Sequence, residues 1–471
     1  MKGPLCNSLA LATAILLLSA LCALKPTPAY SASPVKPFLN MPQTASGRMP
    51  ARLSQTGAFK DTRRLVPAEG LLPYDLIAPF WSDGASKQRF IAWPGQWSQP
   101  KSGQKITFYP TGEWRFPAGV VFVKTFELAL DAAHPEVMHR LETRLLVRDR
   151  TGGVYGVVYK WRADQSDADL IPDSQTETLT LKAADGSARS QSWYYPSRED
   201  CLKCHTSKAG LVLGVKTRQL NRDLTYPDGS TQNELLAWSR RGILDTALDE
   251  STIAQLPRLA SLDDSSASIE MRARSWLDAN CSHCHRPGGT VAYFDARFDA
   301  PKDQQSLIDG QILIDEGIDR ARVIAPHDPW RSIALLRIST NGNVRMPPLA
   351  RETIDERGVS LMRAWIESMP GRDVVPPPSF TLPEGKYPQP VEVTLGDAEP
   401  DADIRYTIDG STPTQSDLHY EGPIRIDGPT ILRARAFKPG MTRSISVQGV
   451  YVIGKPAAPA APGARGAPGT P

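Results

Sequence analysis

The sequence has little cysteine, little net charge and few long hydrophobic stretches. Its 471 residues contain six cysteines, too few for the disulfide-dense scaffold of a small secreted protein. Lys and Arg total 54 against 51 for Asp and Glu, and a formal net charge of +3 gives no support to nucleic-acid binding. Hydrophobic residues still make up 41% of the chain, enough to build cores and to exclude a disordered protein. A chain of this length is expected to fold as about two to four domains.

Proline is in excess, with 42 copies, or about 9% against a usual ~5%. This excess favours turns and edge strands over long helical bundles. Short runs of alternating apolar and polar residues, separated by Gly and Pro turn signals, occupy residues 38–195 and 380–453. They predict a β-sandwich-like domain on the N-terminal side and a separate Ig-like β-sandwich on the C-terminal side.

A single long apolar run, residues 9–24, lies behind Lys2 near the N-terminus. It is too short, and too closely followed by prolines, to be a convincing membrane-spanning helix. Residues 29–31 fit a small-residue cleavage site, so residues 1–31 are predicted to be a cleaved signal peptide, with a retained anchor as the alternative. We therefore expect export to the periplasm of a Gram-negative-type bacterium.

Cleavage removes Cys6 and Cys22, and the four cysteines left form two pairs with the same spacing. Each pair is followed directly by a histidine, in Cys201-Leu202-Lys203-Cys204-His205 and Cys281-Ser282-His283-Cys284-His285. C-x-x-C-H is the attachment pattern of c-type haem. On a helix, positions i, i+3 and i+4 share one face, so two thiols can form thioethers while the histidine ligates iron. Each motif is therefore predicted to carry one covalently attached haem c, with His205 and His285 as iron ligands.

Local signals place both motifs beside helices. Ser197 and Asp200 form a capping-box-like pair just before the first motif. Residues 269–279 have an apolar stripe at helical spacing and predict a helix before the second motif.

Three other interpretations of the cysteines are open. The two pairs could form one four-thiolate zinc site, two disulfides in an exported protein, or a chance spacing. None of the three uses the two trailing histidines, so haem is favoured. His283, inside the second motif, is interpreted as having no role of its own.

Further parts of a cytochrome follow the second motif. Met346 precedes two prolines, and a Met thioether is a common distal ligand of electron-transfer haems. Residues 354–369 then predict an amphipathic helix. This order predicts an α-helical class I-like cytochrome c domain over residues 262–371, with Met346 as the distal ligand of the second haem.

The first motif has no such ligand downstream, since neither His nor Met occurs between His205 and Met271. A five-coordinate haem there would bind small ligands or peroxide, which keeps an enzyme open as an alternative. The other candidate donors for this haem are Met41, Met49, His134, Met138, His139, Lys208, Lys216 and Met271.

The predicted fold class is multidomain α+β, and its parts follow one another along the chain. They are a signal peptide (1–31), a β-rich domain (38–195), a first haem-binding segment (196–261), a cytochrome c domain (262–371), a proline-rich linker (372–379), a β-sandwich (380–453) and a disordered tail (454–471).

Several short segments resemble a family of exported bacterial two-haem c-type cytochromes, over roughly residues 50–370. They are LPYD at 72–75, FWSDG at 80–84, LETRLL at 141–146, PSR at 196–198, CLKCH at 201–205 and QNEL at 232–235. The resemblance implies electron transfer with a redox partner protein, such as a periplasmic dehydrogenase or another cytochrome.

The C-terminal β-rich region is similar to the β-sandwich at the C-terminus of chitobiases and β-hexosaminidases. Residues 406–414, YTIDGSTPT, carry this similarity. It implies a scaffold or an interaction module without catalytic residues, in contact with polysaccharide or the cell envelope through residues 380–453.

The sequence thus favours an electron carrier over an enzyme, and no catalytic residue is assigned. A di-haem peroxidase-like enzyme acting at the first haem is one alternative. A redox module docked to carbohydrate or to the cell envelope is the other.

If two haems use all four cysteines of the exported chain, the mature protein has no free thiol and no disulfide. We expect the denatured protein to react with no thiol reagent, before or after treatment with a reductant. Any reactive thiol in the purified protein would contradict this prediction.

Overall fold

The computed structural model describes residues 35–94, 104–290, 293–396 and 399–454. The predicted signal peptide, residues 1–31, and nearly all of the predicted tail, residues 454–471, lie outside these ranges. Helices within the described ranges include none that is long and apolar enough to cross a membrane.

The N-terminal part is built on one antiparallel sheet, in which six strands, β3 to β8, pair in chain order. Four further strands form the hairpins β1–β2 and β9–β10. The ten strands are β1 (Phe59–Asp61), β2 (Val66–Pro67), β3 (Leu71–Pro73), β4 (Ser86–Ala92), β5 (Val121–Ala129), β6 (Met138–Arg148), β7 (Val154–Trp161), β8 (Ala168–Ile171), β9 (Gln175–Lys182) and β10 (Ala188–Tyr195).

Both faces of this sheet are covered, because alternate residues of each strand enter different cores. Val121 and Val123 of β5 pack on one face against the N-terminal loops. Phe122 points to the other face and packs with Trp238 from the segment that follows the first motif. Phe126, also on that face, packs against the β9–β10 hairpin. The segment that follows the first motif therefore lies against one side of the sheet.

Between the two β-rich parts lie short helices and irregular loops. The helices are α1 (Arg198–Cys204), α2 (Thr217–Leu220), α3 (Glu234–Arg240), α4 (Glu250–Ala254), α5 (Ile269–Asn280), α6 (Ile333–Ile338) and α7 (Glu356–Glu367). A small hairpin joins β11 (Asp223–Thr225) to β12 (Thr231–Asn233). The two longest helices, α5 and α7, pack together through Trp276, Met362 and Trp365.

The predicted fold class, with an α-helical class I-like cytochrome c region at residues 262–371, is wrong. Among the described residues β-structure predominates over helix, with 29% strand against 15% helix. The predicted helices before the second motif and near residue 360 are present as α5 and α7, but they do not build a helical domain. The chain between them holds left-handed backbone at Ser306, Asp309, Glu316 and Arg320, which no α-helix can contain.

The C-terminal part is a β-sandwich, as predicted. A five-stranded sheet in the order β14-β21-β20-β17-β18 faces the pairs β13–β16 and β15–β19. Leu432 and Tyr451 lie in the core between them. The strands are β13 (Ser379–Phe380), β14 (Gly385–Tyr387), β15 (Val391–Val393), β16 (Leu395–Gly396), β17 (Asp403–Thr407), β18 (Leu418–His419), β19 (Ile424–Ile426), β20 (Thr430–Phe437) and β21 (Val447–Ile453).

Asp319 joins this sandwich to the preceding segment. Its carboxylate accepts hydrogen bonds from Arg331 at 3.2 Å, from Arg435 at 3.1 Å and from Arg443 at 3.3 Å. Burial alone would raise the pKa of Asp319, but the three guanidinium groups outweigh it and lower the pKa. Arg331 also donates to the Ser444 carbonyl, so one cluster fixes the orientation of the C-terminal domain.

Replacing this carboxylate should loosen the domain contact. We expect Asp319→Asn to destabilise the protein by about 1–2 kcal/mol at neutral pH, since the nearly buried Arg435 loses its ion pair and Arg331 keeps one carboxylate partner, Asp328. Urea unfolding monitored by tryptophan fluorescence measures the change. The pKa of Asp319 is lowered in the folded protein. The difference in free energy of unfolding between the native protein and Asp319→Asn should therefore disappear as the pH falls below 3.8.

Asp427→Asn is the matched control, because Asp427 pairs with Arg425 on the surface, where ion pairs contribute little. Equal effects of the two substitutions would contradict the role given to Asp319.

Candidate cofactor site at the two C-x-x-C-H motifs

The first motif lies on α1, which begins at the predicted cap. Ser197 Oγ accepts the Asp200 N–H at 3.1 Å, and the Asp200 carboxylate accepts the Ser197 N–H at 3.0 Å. This capping box is therefore confirmed. The helix packs closely on β7, where a Cβ placed on Gly156 would lie 2.6 Å from Cys201 Sγ. A glycine in the strand thus allows the first thiol to approach the sheet.

His205 ends α1 and faces a deep cavity between the sheet and both motifs. Its Nδ1–H donates to the Leu211 carbonyl at 2.7 Å. Desolvation, followed by the positive charges of neighbouring residues, lowers the pKa of His205 to about 4. The imidazole is therefore neutral at physiological pH, with Nε2 left as the nitrogen for a metal.

The second motif forms a turn after α5, in which the N–H groups of Cys284 and His285 both donate to the Cys281 carbonyl. The His285 ring stacks on Phe294 with a centroid distance of 4.2 Å. Its Nδ1 is buried without a hydrogen-bond partner in the described part of the chain. Desolvation lowers the pKa of His285 to about 4 as well. A neutral imidazole with an unpartnered nitrogen suits a metal ligand.

Met346 lies half-buried in the loop between α6 and α7. Its N–H donates to the Arg337 carbonyl at 2.9 Å, and the Arg337 charge acts on the His285 imidazole. These contacts bring the Met346 loop into the region of the second motif. Ligation of iron by Met346 stays a prediction.

The fold brings the two motifs together. Cys204 Sγ, Cys284 Sγ and a ring nitrogen of His283 all lie within 4.8 Å of one another. Arg286, directly after the second motif, donates to the Lys208 carbonyl just after the first motif, at 2.9 Å. The motifs, 80 residues apart in sequence, therefore form one compact site.

The cysteines form neither of the rival structures. All four thiols are free, so the two-disulfide interpretation has no support within the described residues. Cys201 and Cys281 lie outside the cluster of possible metal ligands, so the four-thiolate zinc site is not assembled. A structural zinc site takes four ligands, and this cluster offers three. Burial raises the pKa of Cys281 to about 12, which keeps that thiol protonated.

One wall of the cavity carries a row of cations that the sequence analysis missed. Arg89, Lys124 and Arg144 lie opposite one another on β4, β5 and β6 and line the cavity. Asp75 pairs with Arg89, and Glu142 pairs with Arg144. Lys124 has no acid partner among the described residues. Desolvation and the two arginines lower its pKa to about 7. A lysine in an otherwise apolar strand was the signal that could have revealed this row.

The excess of positive charge in the cavity suits a bound carboxylate. Like charges directly opposite on neighbouring strands are unfavourable unless an anion offsets them. Lys87, on the same wall, donates to the Phe80 carbonyl at 2.6 Å and also has no acid partner in the described ranges. Haem carries two propionates, so the charge of the cavity and the neutral imidazole of His205 both fit this group.

Most of the other donors proposed for the first haem lie elsewhere. Met41 and Met49 belong to the core on the far face of the sheet, and His134, Met138 and His139 lie outside the cavity lining. Lys216 does line the cavity but is ion-paired with Asp278 at 3.0 Å. His283 lines it too, although the sequence analysis gave that residue no role.

Comparison with known proteins identifies the C-terminal part alone. Residues 382–448 match the family of the chitobiase/beta-hexosaminidase C-terminal domain, which confirms the predicted type of this β-sandwich. The match covers none of the cavity or the two motifs. No curated protein and no solved structure matches the chain.

The close approach of Gly156 to Cys201 can be tested with a methyl group. We expect Gly156→Ala to destabilise the protein by about 1–3 kcal/mol, the usual cost of overpacking, and, if the first motif attaches a haem, to reduce that attachment. Differential scanning fluorimetry and intact-protein mass spectrometry measure the two effects. Gly428→Ala is the control, because a Cβ there meets nothing within 4 Å. Native-like stability and full attachment in Gly156→Ala would contradict the packing described.

Proposed function

We propose that the protein is an exported c-type cytochrome that carries two covalently attached haems and transfers electrons. The observation that carries the proposal is the assembly of both C-x-x-C-H motifs into one site, each with free thiols and a neutral imidazole. The fold is not that of a helical cytochrome domain, so the proposal rests on the motifs and their geometry. The resemblance to exported two-haem cytochromes supports it.

In this proposal each residue of the site has a defined task. Cys201 and Cys204 attach the first haem, and Cys281 and Cys284 attach the second. His205 and His285 are the iron ligands, and Met346 is the distal ligand of the second haem. Once bound, haem supplies a one-electron iron couple. The protein supplies fixed ligands, a site shielded from water and positive charge for the propionates.

The hydrogen bond from His205 to Leu211 has a further effect. An imidazole that donates its other N–H to a carbonyl is fixed in one tautomer and is a more basic ligand. The Leu211 carbonyl thereby holds the His205 ring in one orientation.

The partners are proposed from the family resemblance and from the C-terminal domain. The family resemblance supports a redox partner protein, such as a periplasmic dehydrogenase or another cytochrome. The C-terminal domain, through residues 380–453, is proposed to contact polysaccharide or the cell envelope. Its attachment through Asp319 would then hold the haem site in a fixed orientation to that surface.

A second candidate function is peroxide reduction at the first haem, which the cavity beside His205 favours. This candidate requires an open distal position. Rapid oxidation of the reduced protein by hydrogen peroxide would support it, and two low-spin haems that are inert to peroxide would exclude it.

Paired substitutions test the leading proposal. Expressed together with a cytochrome c maturation system, the native protein should carry two haems, and Cys201→Ser with Cys204→Ser should carry one. The pair Cys281→Ser with Cys284→Ser should also carry one. Pyridine haemochrome spectra count the haems, and a potentiometric titration should show a reversible couple for each.

Elemental analysis separates haem from the rival metal. We expect iron in a ratio of two per chain and no stoichiometric zinc. A protein that binds zinc, carries no haem and has no reversible couple would contradict the proposed function.

A further inference from the structure

His283 occupies a special position in the second motif. The described lining of the cavity beside the first motif includes His283 but not Cys281, Cys284 or His285. The side chain of His283 is therefore directed into the pocket of the first motif.

The neighbours of His283 in this cavity belong to the first motif and to the loop between β3 and β4. His283 lines the same cavity as Cys201 and His205 of the first motif. One of its ring nitrogens lies within 4.8 Å of both Cys204 Sγ and Cys284 Sγ. The ring meets Phe80 edge to face, with centroids 5.6 Å apart. A residue of the second motif thus lies in the pocket of the first.

Other cavity donors are less suited to bind the first iron. Lys216 is held by the carboxylate of Asp278, and Lys87 donates to the Phe80 carbonyl. Lys124 lies on the sheet between two arginines, where a cation suits a propionate. Imidazole is the commonest metal ligand among side chains, and it binds iron in its neutral form.

We propose that His283 is the distal ligand of the first haem, an assignment that rests on the proposed function. One ring nitrogen donates its lone pair to the iron, and no atom is oxidised or reduced in that step. The loop that attaches the second haem would then supply a ligand to the iron of the first. The haems would form a linked pair rather than two separate carriers.

Substitution of His283 in the full-length, haem-loaded protein tests the assignment. Ferric EPR and visible spectra of the native protein should show two low-spin haems. His283→Ala should convert one of the two to high spin while pyridine haemochrome still counts two. Added imidazole should restore the low-spin signal, a rescue that a merely structural role would not give. His283→Met should add a second Met–iron charge-transfer band in the red.

A control variant completes the design. His134→Ala removes an exposed histidine, ion-paired with Glu136, that lies outside the cavity, and it should leave both haems low-spin.

The outcomes separate the two proposals. Two low-spin haems in His283→Ala would overturn the assignment alone, and so would a high-spin haem that appears in His134→Ala instead. A native protein without covalent haem would overturn the proposed function as well.

Discussion

The site depends on the buried carboxylate of Asp278. This residue lies three positions before Cys281 and accepts hydrogen bonds from Arg218 at 2.8 Å and from the Phe298 N–H at 3.0 Å, with Lys216 at 3.0 Å. Arg218 and Lys216 follow the first motif in the chain. Burial would raise the pKa of Asp278, but the two cations lower it, so the group stays ionised. Removing water from three charges is costly, and only a fully bonded cluster offsets that cost. This cluster is what holds the two motifs at one place.

The sheet provides the other half of the site. One of its faces carries Gly156, which admits the first thiol, and the cationic row centred on Lys124. The loop between β3 and β4 connects the same sheet to the chain around the second motif. The Trp81 N–H donates to the Asn280 side chain at 2.8 Å, and the Asp83 carboxylate accepts the Thr353 N–H at 2.8 Å. A β-rich body therefore positions both motifs, a task that a helical domain was expected to perform.

The sequence was informative where the physics is local. The cap at Ser197, helix α5, strands such as β5 and the C-terminal sandwich follow from signals within a few residues. The prediction of a helical domain was wrong because left-handed backbone occurs between α5 and α6 at Ser, Asp, Glu and Arg residues, which carry no strong sequence signal for it. The ion pair of Arg218 with Asp278 joins residues 60 positions apart, and no periodicity predicts it. The sequence analysis gave His283 no role, because its place in the pocket of the first motif depends on contacts between residues about 80 positions apart.

The proline-rich segment 372–379 has a mechanical consequence. Val375 is fully buried in the C-terminal core, and its N–H donates to the Thr442 carbonyl at 2.9 Å. The segment thus belongs to the domain that follows it, and little free chain is left between the two bodies. A flexible linker would let the sandwich adopt many orientations and bind a surface at many angles. Here the sandwich is fixed to the preceding segment, so under the proposed function a surface bound by the sandwich would set the distance from which electrons leave the haem site.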